Sequence, residues 1–338
     1  MSGEFESQSG LVVPFLDYAW LRPCVENIIA ATWNSIDLTL VVEDDGDYND
    51  AVRTLDELGV PIDRIRFSIS PIETPWLRDM GPLPARSNSD ASVIWYDTEN
   101  SHFEQAMRPR ADALPRALQR GYETLRVPSG LALDGGAILS NGRGLTVVSK
   151  SVEQINQEAG FTGRLFTAEI QRITGASQIV SVQPLEEEPT GHIDLFMTFV
   201  SADTVVVAEY VNPEHPNARI LDENARTLAA LTVDGKPLKV VRIPMPESER
   251  FVGSEGKYIY SYTNVIFAND VLLVPSWPSQ DQAIESEVVA TFQNLLPSWT
   301  IKLIDCSELR GRGGALHCLT SNLGCNTAIR TGDISESH

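Results

Sequence analysis

The residue best suited to covalent chemistry in this sequence is Cys318, which ends the segment Gly-Arg-Gly-Gly-Ala-Leu-His-Cys at residues 311–318. The three glycines allow the backbone to turn tightly and a bound molecule to approach it closely. An ordinary cysteine has a pKa of about 8.5 and is mostly a thiol at neutral pH, so a nucleophilic one needs an activating neighbour. A bound cation could act as this activating neighbour. A lone cysteine is otherwise most often a small buried apolar residue.

A candidate acid and base, His192, occurs in the segment Gly-His-Ile-Asp at residues 191–194. If this segment is extended, alternation places the side chains of His192 and Asp194 on the same face of one strand. His317 adjoins Cys318, but if residues 316–320 are extended, as we expect, its side chain points to the opposite face. His192 is therefore the predicted proton carrier, with a purely structural histidine as the alternative.

Two further aspartates complete the set of groups that could act on a cation. A planar guanidinium is bound best by paired carboxylates that accept bidentate hydrogen bonds, and Asp79 and Asp194 could supply such a pair. Asp134, which precedes two glycines, could orient the imidazole of His192. The alternatives are a salt bridge between Asp79 and Arg78 and a simple turn at Asp134.

Apolar runs of strand length alternate with segments of helical period, which predicts an α/β fold. The predicted strands are Leu11–Leu16, Leu38–Val42, Ile65–Ile69, Leu145–Ser149, Thr204–Ala208, Val240–Ile243, Val271–Pro275 and Ile301–Ile304. The predicted helices are Trp20–Trp33, Tyr48–Leu58, Gln154–Ala159, Glu169–Ile173, Asn217–Leu231 and Gln280–Leu296. No linker rich in proline, glycine or serine divides the chain. We therefore expect one catalytic domain over residues 1–328, followed by a polar tail at 329–338.

A repeat is visible beneath these elements, because five segments couple a polar residue to a short apolar stretch. The polar residues are Asp79, Asp134, Asp194, Asn264 and Cys318, and successive members are 55, 60, 70 and 54 residues apart. Five such units would each bring one polar group to a common axis, which predicts a closed, propeller-like ring with a central site. The alternative is coincidence, since polar residues are common at strand ends in α/β enzymes.

The chain has 338 residues and a formal net charge of −20. This charge disfavours nucleic acid and anionic membranes as partners and suits a small cation. No apolar run reaches the roughly 18 residues of a membrane span, and the opening residues lack the pattern of a secretory signal. The four cysteines show neither disulfide nor metal spacing, so a cytoplasmic location is expected. The acidic run at 186–188 is interpreted as a solvated loop.

Five motifs in order carry a resemblance to a known family. They are Trp-Leu-Arg-Asp-Met-Gly-Pro at 76–82, Leu-Asp-Gly-Gly-Ala-Ile at 133–138, Thr-Gly-His-Ile-Asp at 190–194, Tyr-Thr-Asn at 262–264 and Gly-Ala-Leu-His-Cys at 314–318. Together they resemble the agmatine deiminase and bacterial-type peptidylarginine deiminase family, of the guanidine-modifying superfamily. The segment at 3–9 is similar to the opening of that family. The resemblance implies a five-bladed α/β propeller, the pentein fold.

The resemblance also implies roles for individual residues. Cys318 would be the nucleophile and His192 the general acid and base. The residues expected to bind or line the substrate are Asp79, Asp194, Asn264 and Trp76. Asp134 stands where the family usually has glutamate, which shortens the side chain that would contact the histidine. Leu195 and Ser321 replace an asparagine and a glutamine that agmatine deiminases usually have.

The expected reaction is hydrolysis of agmatine to N-carbamoylputrescine and ammonia through a covalent S-alkylthiouronium on Cys318, without metal or cofactor. The expected partners are a small cationic guanidine and, in a homodimer, a second copy of the chain. Alternatives are a peptidylarginine deiminase on the same scaffold, a thiol amidohydrolase or amidinotransferase, and a non-catalytic pentein binding protein. A metal site at His192, Asp194 and Cys318 is a further alternative, although His-x-Asp is a weak metal signal.

Overall fold

The fold is mixed α/β, as the alternation of patterns predicts. The computed structural model describes residues 1–72, 74–87, 92–100, 113–186, 188–247, 249–250 and 257–330. The strands are β1 (Leu11–Pro14), β2 (Leu38–Val42), β3 (Ile65–Ile69), β4 (Leu83–Arg86), β5 (Val93–Glu99), β6 (Tyr122–Glu123), β7 (Leu125–Ala132), β8 (Ile138–Ser140), β9 (Leu145–Ser149), β10 (Gln178–Val182), β11 (Met197–Ser201), β12 (Thr204–Glu209), β13 (Thr232–Val233), β14 (Lys236–Pro237), β15 (Lys239–Pro244), β16 (Glu249–Arg250), β17 (Lys257–Tyr258), β18 (Ile266–Ala268), β19 (Val271–Ser276), β20 (Thr300–Asp305), β21 (Ser321–Asn322) and β22 (Ala328–Ile329).

The α-helices lie between these strands. They are α1 (Arg22–Thr32), α2 (Asp45–Glu57), α3 (Leu77–Met80), α4 (Leu114–Gln119), α5 (Lys150–Glu158), α6 (Arg164–Thr174), α7 (Ala218–Ala229), α8 (Gln282–Leu295) and α9 (Leu316–Leu319). Helix α7 shows why such segments are helical, because its buried residues Ala218, Leu221, Ala225 and Leu228 recur every three or four positions. Within the described ranges, no helix is long and apolar enough to cross a membrane.

Five of the sheets share one strand arrangement. They are β21-β1-β2-β3, β4-β5-β7, β8-β9-β10, β11-β12-β15 and β18-β19-β20. In each sheet the first strand is antiparallel to the second, and the second is parallel to the third. Strands β2, β9 and β19 are buried along their whole length, as expected for apolar runs that are covered on both faces.

The five polar residues of the sequence repeat precede the first strand of these five sheets. Asp79 lies before β4, Asp134 before β8, Asp194 before β11, Asn264 before β18 and Cys318 before β21. One repeated supersecondary unit therefore delivers each polar side chain from the same position in its own sheet.

The structure differs from the predictions at 191–196, at 316–320 and in the predicted tail. Residues 191–196 form a turn rather than an extended strand, and the segment predicted to be extended at 316–320 contains the helical turn α9. At the predicted tail, Ile329 pairs with Tyr122 in β6, and the Arg330 amide donates to Gly121 O at 3.1 Å. Residues 331–338 lie outside the described part of the chain.

Two buried asparagines, Asn224 in α7 and Asn217 just before it, bind the backbone of the segment between β10 and His192. Asn224 accepts a hydrogen bond from the Gln183 amide at 3.0 Å and donates to the Gln183 carbonyl at 2.8 Å. Asn217 accepts from the Glu186 amide at 2.7 Å and donates to its carbonyl at 3.3 Å. These side chains replace the ladder hydrogen bonds that the segment lacks.

We expect Asn224→Ala to lower the free energy of unfolding by about 1–3 kcal/mol, because it leaves backbone groups of Gln183 without their partner. Denaturant titration would measure the change. Arg219→Ala, on the exposed face of the same helix, serves as the control and should change stability by less than about 0.5 kcal/mol. Equal transition midpoints for the two variants would contradict this account.

Candidate active site

Cys318 lies buried in the helical turn α9, after the glycine-rich loop. A Cβ atom added at Gly314 would lie 2.9 Å from the Cβ of Cys318 and 2.7 Å from Cζ3 of Trp76. Glycine is therefore required at this position by close approach. The same contacts bring Trp76, which the sequence predicts as a wall of the site, against the loop that carries the thiol.

His192 lies between two carboxylates. Its Nε2 atom is 3.4 Å from Oδ2 of Asp134, and its Nδ1 atom is 3.8 Å from Oδ1 of Asp79. Burial disfavours the charged imidazole, but Asp79, Asp134 and Asp194 outweigh burial and raise the pKa of His192 to about 10. His192 is therefore an imidazolium at neutral pH, ready to donate a proton.

The turn at Asp134 also positions the backbone around His192. The carbonyl of Gly136 accepts hydrogen bonds from the amides of Ile193 at 2.9 Å and Asp194 at 3.2 Å. A Cβ atom at Gly136 would lie only 2.5 Å from Nδ1 of His192. The prediction that His192 and Asp194 lie on one face of a strand is thus wrong. The hydrogen bonds to Gly136 nevertheless bring both side chains into the same cluster.

Asp194 belongs to a charged row in which Asp194, His317, Glu4 and Arg78 contact one another in that order. The sequence did not predict a role in the site for His317 or Glu4. The Oδ2 atom of Asp194 is 2.6 Å from Nδ1 of His317, and Nε2 of His317 is 2.7 Å from Oε2 of Glu4. The other oxygen of Glu4 accepts from Nη1 of Arg78 at 2.5 Å. Burial opposes ionisation of Glu4, but Arg78 and His317 outweigh it and lower its pKa to about 2.

His317 is held as a cation by its neighbours in this charged row. Burial and Arg78 oppose its charge, but Glu4 and Asp194 prevail, so the pKa of His317 is raised. Carboxylates at both ring nitrogens require both to carry protons. The family-like opening at 3–9 was the signal that could have found Glu4, whereas the wrong backbone prediction at 316–320 directed His317 away from the site.

Cys318 is a thiol in the free protein. Burial, followed by the negative charges of Asp194 and Asp79, raises the pKa of Cys318 well above its usual range. The side-chain oxygen of Asn264 accepts from the Cys318 amide at 3.4 Å and lies 3.6 Å from its sulfur. A cation bound between the aspartates would remove the charge that opposes thiolate formation.

The charges of the cluster suit a single positive ligand. Counted by formal charge, the carboxylates of Glu4, Asp79, Asp134 and Asp194 face three cations, Arg78 and the two imidazolium rings, which leaves one negative charge. An unpaired buried charge is strongly unfavourable, so this site favours a monocation. Among residues placed by the structure, no group of three or more His, Cys, Asp or Glu side chains is arranged to hold a metal ion.

The acidic run at 186–188 is not a solvated loop throughout. Glu186 is exposed, and Glu187 lies outside the described residues. Glu188 accepts from the amide and hydroxyl of Thr190 at 3.0 and 2.6 Å with one oxygen, and from the His192 amide at 3.2 Å with the other. Glu188 therefore fixes the backbone that carries His192.

Two clefts border the cluster. One of about 540 Å³ adjoins Gly314 and has Leu195, Trp277, Glu188 and Arg310 in its walls. This cleft offers space beside the glycine loop for the part of a ligand that extends away from Cys318. The other, of about 580 Å³, is lined by Met1, Ser2, Glu4 and Gln8 of the N-terminal segment and by Arg78.

Solved structures share this fold over nearly its whole length. A structure from Porphyromonas gingivalis matches 96% of this chain and 98% of its own, with a TM-score of 0.83 and 22% identity. The agmatine deiminase of Enterococcus faecalis matches with a TM-score of 0.79 and 17% identity, over 95% of this chain and 94% of its own. The mixed α/β fold is that of the pentein class.

The sequence comparisons identify the family within that class. The agmatine deiminase of Pseudomonas fluorescens strain SBW25 is 23% identical over 304 residues, which cover 81% of this chain and 80% of the relative. The profile of the Porphyromonas-type peptidyl-arginine deiminases matches residues 1–323. The chain belongs to this family, and the resemblance seen in its motifs is confirmed.

The raised pKa of His192 predicts a specific dependence of stability on pH. A group whose pKa is higher in the folded than in the unfolded state stabilises the fold fully below the unfolded value, about 6.5, and loses this contribution as pH rises through about 10. Between those values, we expect wild type to lose about 1.4 kcal/mol per pH unit more than His192→Gln. Chemical denaturation from pH 6 to 10 would measure the difference, and parallel curves for the two proteins would contradict it.

Proposed function

We propose that this chain is a deiminase that hydrolyses the guanidinium group of agmatine to N-carbamoylputrescine and ammonia. The observation that carries the proposal is a buried thiol beside two carboxylates and an imidazolium, in a cluster with one excess negative charge. Relatives named agmatine deiminase over most of the chain support the choice of substrate.

The first half of the proposed reaction forms the covalent intermediate. The guanidinium lies between Asp79 and Asp194, where its charge favours loss of the Cys318 proton to solvent. The thiolate adds to the central carbon and gives a neutral tetrahedral species. His192 then donates its proton to one amino group, ammonia departs, and an S-alkylthiouronium cation remains on Cys318. Proton donation of this kind contributes typically about 10²–10⁴-fold.

The second half hydrolyses that intermediate. His192, now neutral, takes a proton from water as the water oxygen adds to the thiouronium carbon. The carbon–sulfur bond breaks, the thiolate of Cys318 takes the hydroxyl proton, and the neutral ureido product leaves. Both the thiol and the imidazolium are thereby restored.

We also propose the closed five-bladed arrangement of this fold, with residues 1–328 as one catalytic domain. Support comes from the five sheets of common strand order, each preceded by one polar residue of the cluster. A cytoplasmic location is part of the proposal, and the four free cysteines suit a reducing compartment.

A peptidylarginine deiminase is the second candidate, favoured by the family to which the chain belongs. The two candidates share the chemistry at Cys318 and differ in what surrounds the guanidinium. Steady-state rates with agmatine, free arginine and an arginyl peptide would separate them. The highest kcat/KM with agmatine would support the first candidate and with the arginyl peptide the second, whereas the highest value with free arginine would contradict both.

Cys318→Ala should abolish ammonia release from every guanidine that wild type accepts, because no covalent intermediate can form. A coupled ammonia assay would measure the rate, and mass spectrometry of acid-quenched wild type would detect the adduct. A variant that keeps even about a tenth of the wild-type rate would rule out covalent catalysis by this residue. Absence of both turnover and labelling of Cys318 in wild type would favour a non-catalytic pentein.

Asp79→Asn and Asp194→Asn should each lower kcat/KM by at least about 10²-fold, equivalent to roughly 2.7 kcal/mol, because each removes charge that binds the guanidinium. Both substitutions keep the side-chain volume. The matched control is Glu186→Gln, which removes the same charge from an exposed side chain and should leave kcat/KM near wild type. Near-normal activity of both aspartate variants on every guanidine would favour the thiol amidohydrolase alternative.

A further inference from the structure

Asn264 has one half of its side-chain amide engaged and the other half without a partner. Its Oδ1 accepts from the amides of His317 at 2.9 Å and Cys318 at 3.4 Å. These two donors fix which end of the group is oxygen, because a nitrogen there would face two N–H groups. The Nδ2 atom is buried and has no hydrogen-bond partner within the described part of the chain.

The position of Asn264 is tightly held. The residue is fully buried, and the hydroxyl of Ser261 accepts from the amides of Thr263 at 3.1 Å and Asn264 at 3.0 Å. The hydroxyl of Thr263 in turn donates to the carbonyl of Asp194 at 3.4 Å. The loop therefore keeps the amide beside Cys318 rather than letting it rotate towards solvent.

A buried N–H donor without an acceptor destabilises the folded protein by about 1–3 kcal/mol. We therefore expect an atom of a bound ligand to accept a hydrogen bond from Nδ2. A guanidinium carries only N–H donors around its central carbon, and an S-alkylthiouronium likewise presents N–H donors. Oxygen enters the reaction only with water. The acceptors that could pair with Nδ2 are thus the oxygen of the second tetrahedral species and the carbonyl of the ureido product.

The position of Oδ1 argues against a role for Asn264 in activating the Cys318 thiol. Oδ1, not Nδ2, is the Asn264 atom within hydrogen-bonding range of the Cys318 sulfur, at 3.6 Å. An amide oxygen accepts a hydrogen bond from the thiol and offers none to the thiolate. Asn264 is therefore badly placed to activate the nucleophile for the first half of the reaction.

We propose that Asn264 is a catalytic residue of the hydrolytic half, an inference that rests on the proposed deiminase function. As the water oxygen adds to the thiouronium carbon and His192 takes the water proton, Nδ2 donates a hydrogen bond to that oxygen. The same bond persists while the carbon–sulfur bond breaks and the C–O bond becomes the carbonyl of the urea. Asn264 transfers no proton.

Asn264→Asp tests this role, because it keeps the accepting oxygen and the volume but removes the N–H donors. Its added negative charge opposes thiolate formation, as Asp194 and Asp79 do, so each protein is assayed at the pH at which it releases ammonia fastest. Rapid quenching should show that about one equivalent of ammonia per site is released before the ureido product, with an amidino adduct accumulating on Cys318. The rate of product formation should fall about 10–100-fold, as expected when a buried hydrogen bond to the reacting hydroxyl is removed. Asn294→Asp, an exposed change of the same kind in α8, should show neither burst nor adduct.

Two results would overturn the inference while leaving the proposed function intact. Ammonia and product could form together at the same reduced rate without adduct, or Cys318 alkylation by iodoacetamide could shift in pH dependence with hydrolysis unaffected. If wild type released no ammonia from any guanidine, the proposed function itself would fail, before Asn264 is varied.

A second measurement needs no change at Asn264, in case the aspartate variant does not fold. In Cys318→Ala, which cannot turn over, the side-chain amide proton resonances of Asn264 should shift downfield when the ureido product binds. They should not shift downfield when the guanidine binds. Equal shifts with both ligands, or no shift with bound product, would contradict the inference.

Discussion

Burial of Asp134 and Asp194 and partial burial of Asp79 around one thiol are the constraint that the rest of the site has to satisfy. Carboxylates removed from water are tolerated only where cations or hydrogen-bond donors compensate them. The structure compensates most of this charge with two imidazolium rings and leaves a deficit of one positive charge. That deficit accounts for the suppressed ionisation of the thiol and the raised pKa of His192. In the proposed reaction it would also favour a cationic substrate over its neutral product.

The site residues were predictable from sequence because their types are chemically unusual, but their relations were not. His192 and Asp194 come together through amides that bond to Gly136, a carbonyl more than fifty residues away, and no local period encodes such a contact. Glu4 reaches His317 across 313 residues. The repeat spacing did locate one polar residue before the first strand of each of five sheets, because it reports a unit of structure and not the conformation of a few residues.

The strands were predicted more accurately than the turns for a related reason. Leu38–Val42 and Leu145–Ser149 have the bounds that the sequence predicts, since a strand covered on both faces is a continuous apolar run. The helical turn Leu316–Leu319 has only four residues, too few for a period of 3.6 to be recognised. The backbone is irregular where it delivers Cys318 and His192, and there the hydrogen bonds come from distant parts of the chain.

The contacts from Glu4 through His317 to Asp194 join residues that are up to 313 positions apart in the sequence. During synthesis, the acidic groups and His192 leave the ribosome well before the last unit does. A growing chain therefore carries these carboxylates before it carries Cys318 and the imidazole of His317, which bridges Glu4 and Asp194. In such an intermediate the carboxylates lack one compensating cation, and the charge balance is reached only when His317 and β21 pack against β1 and the first residues.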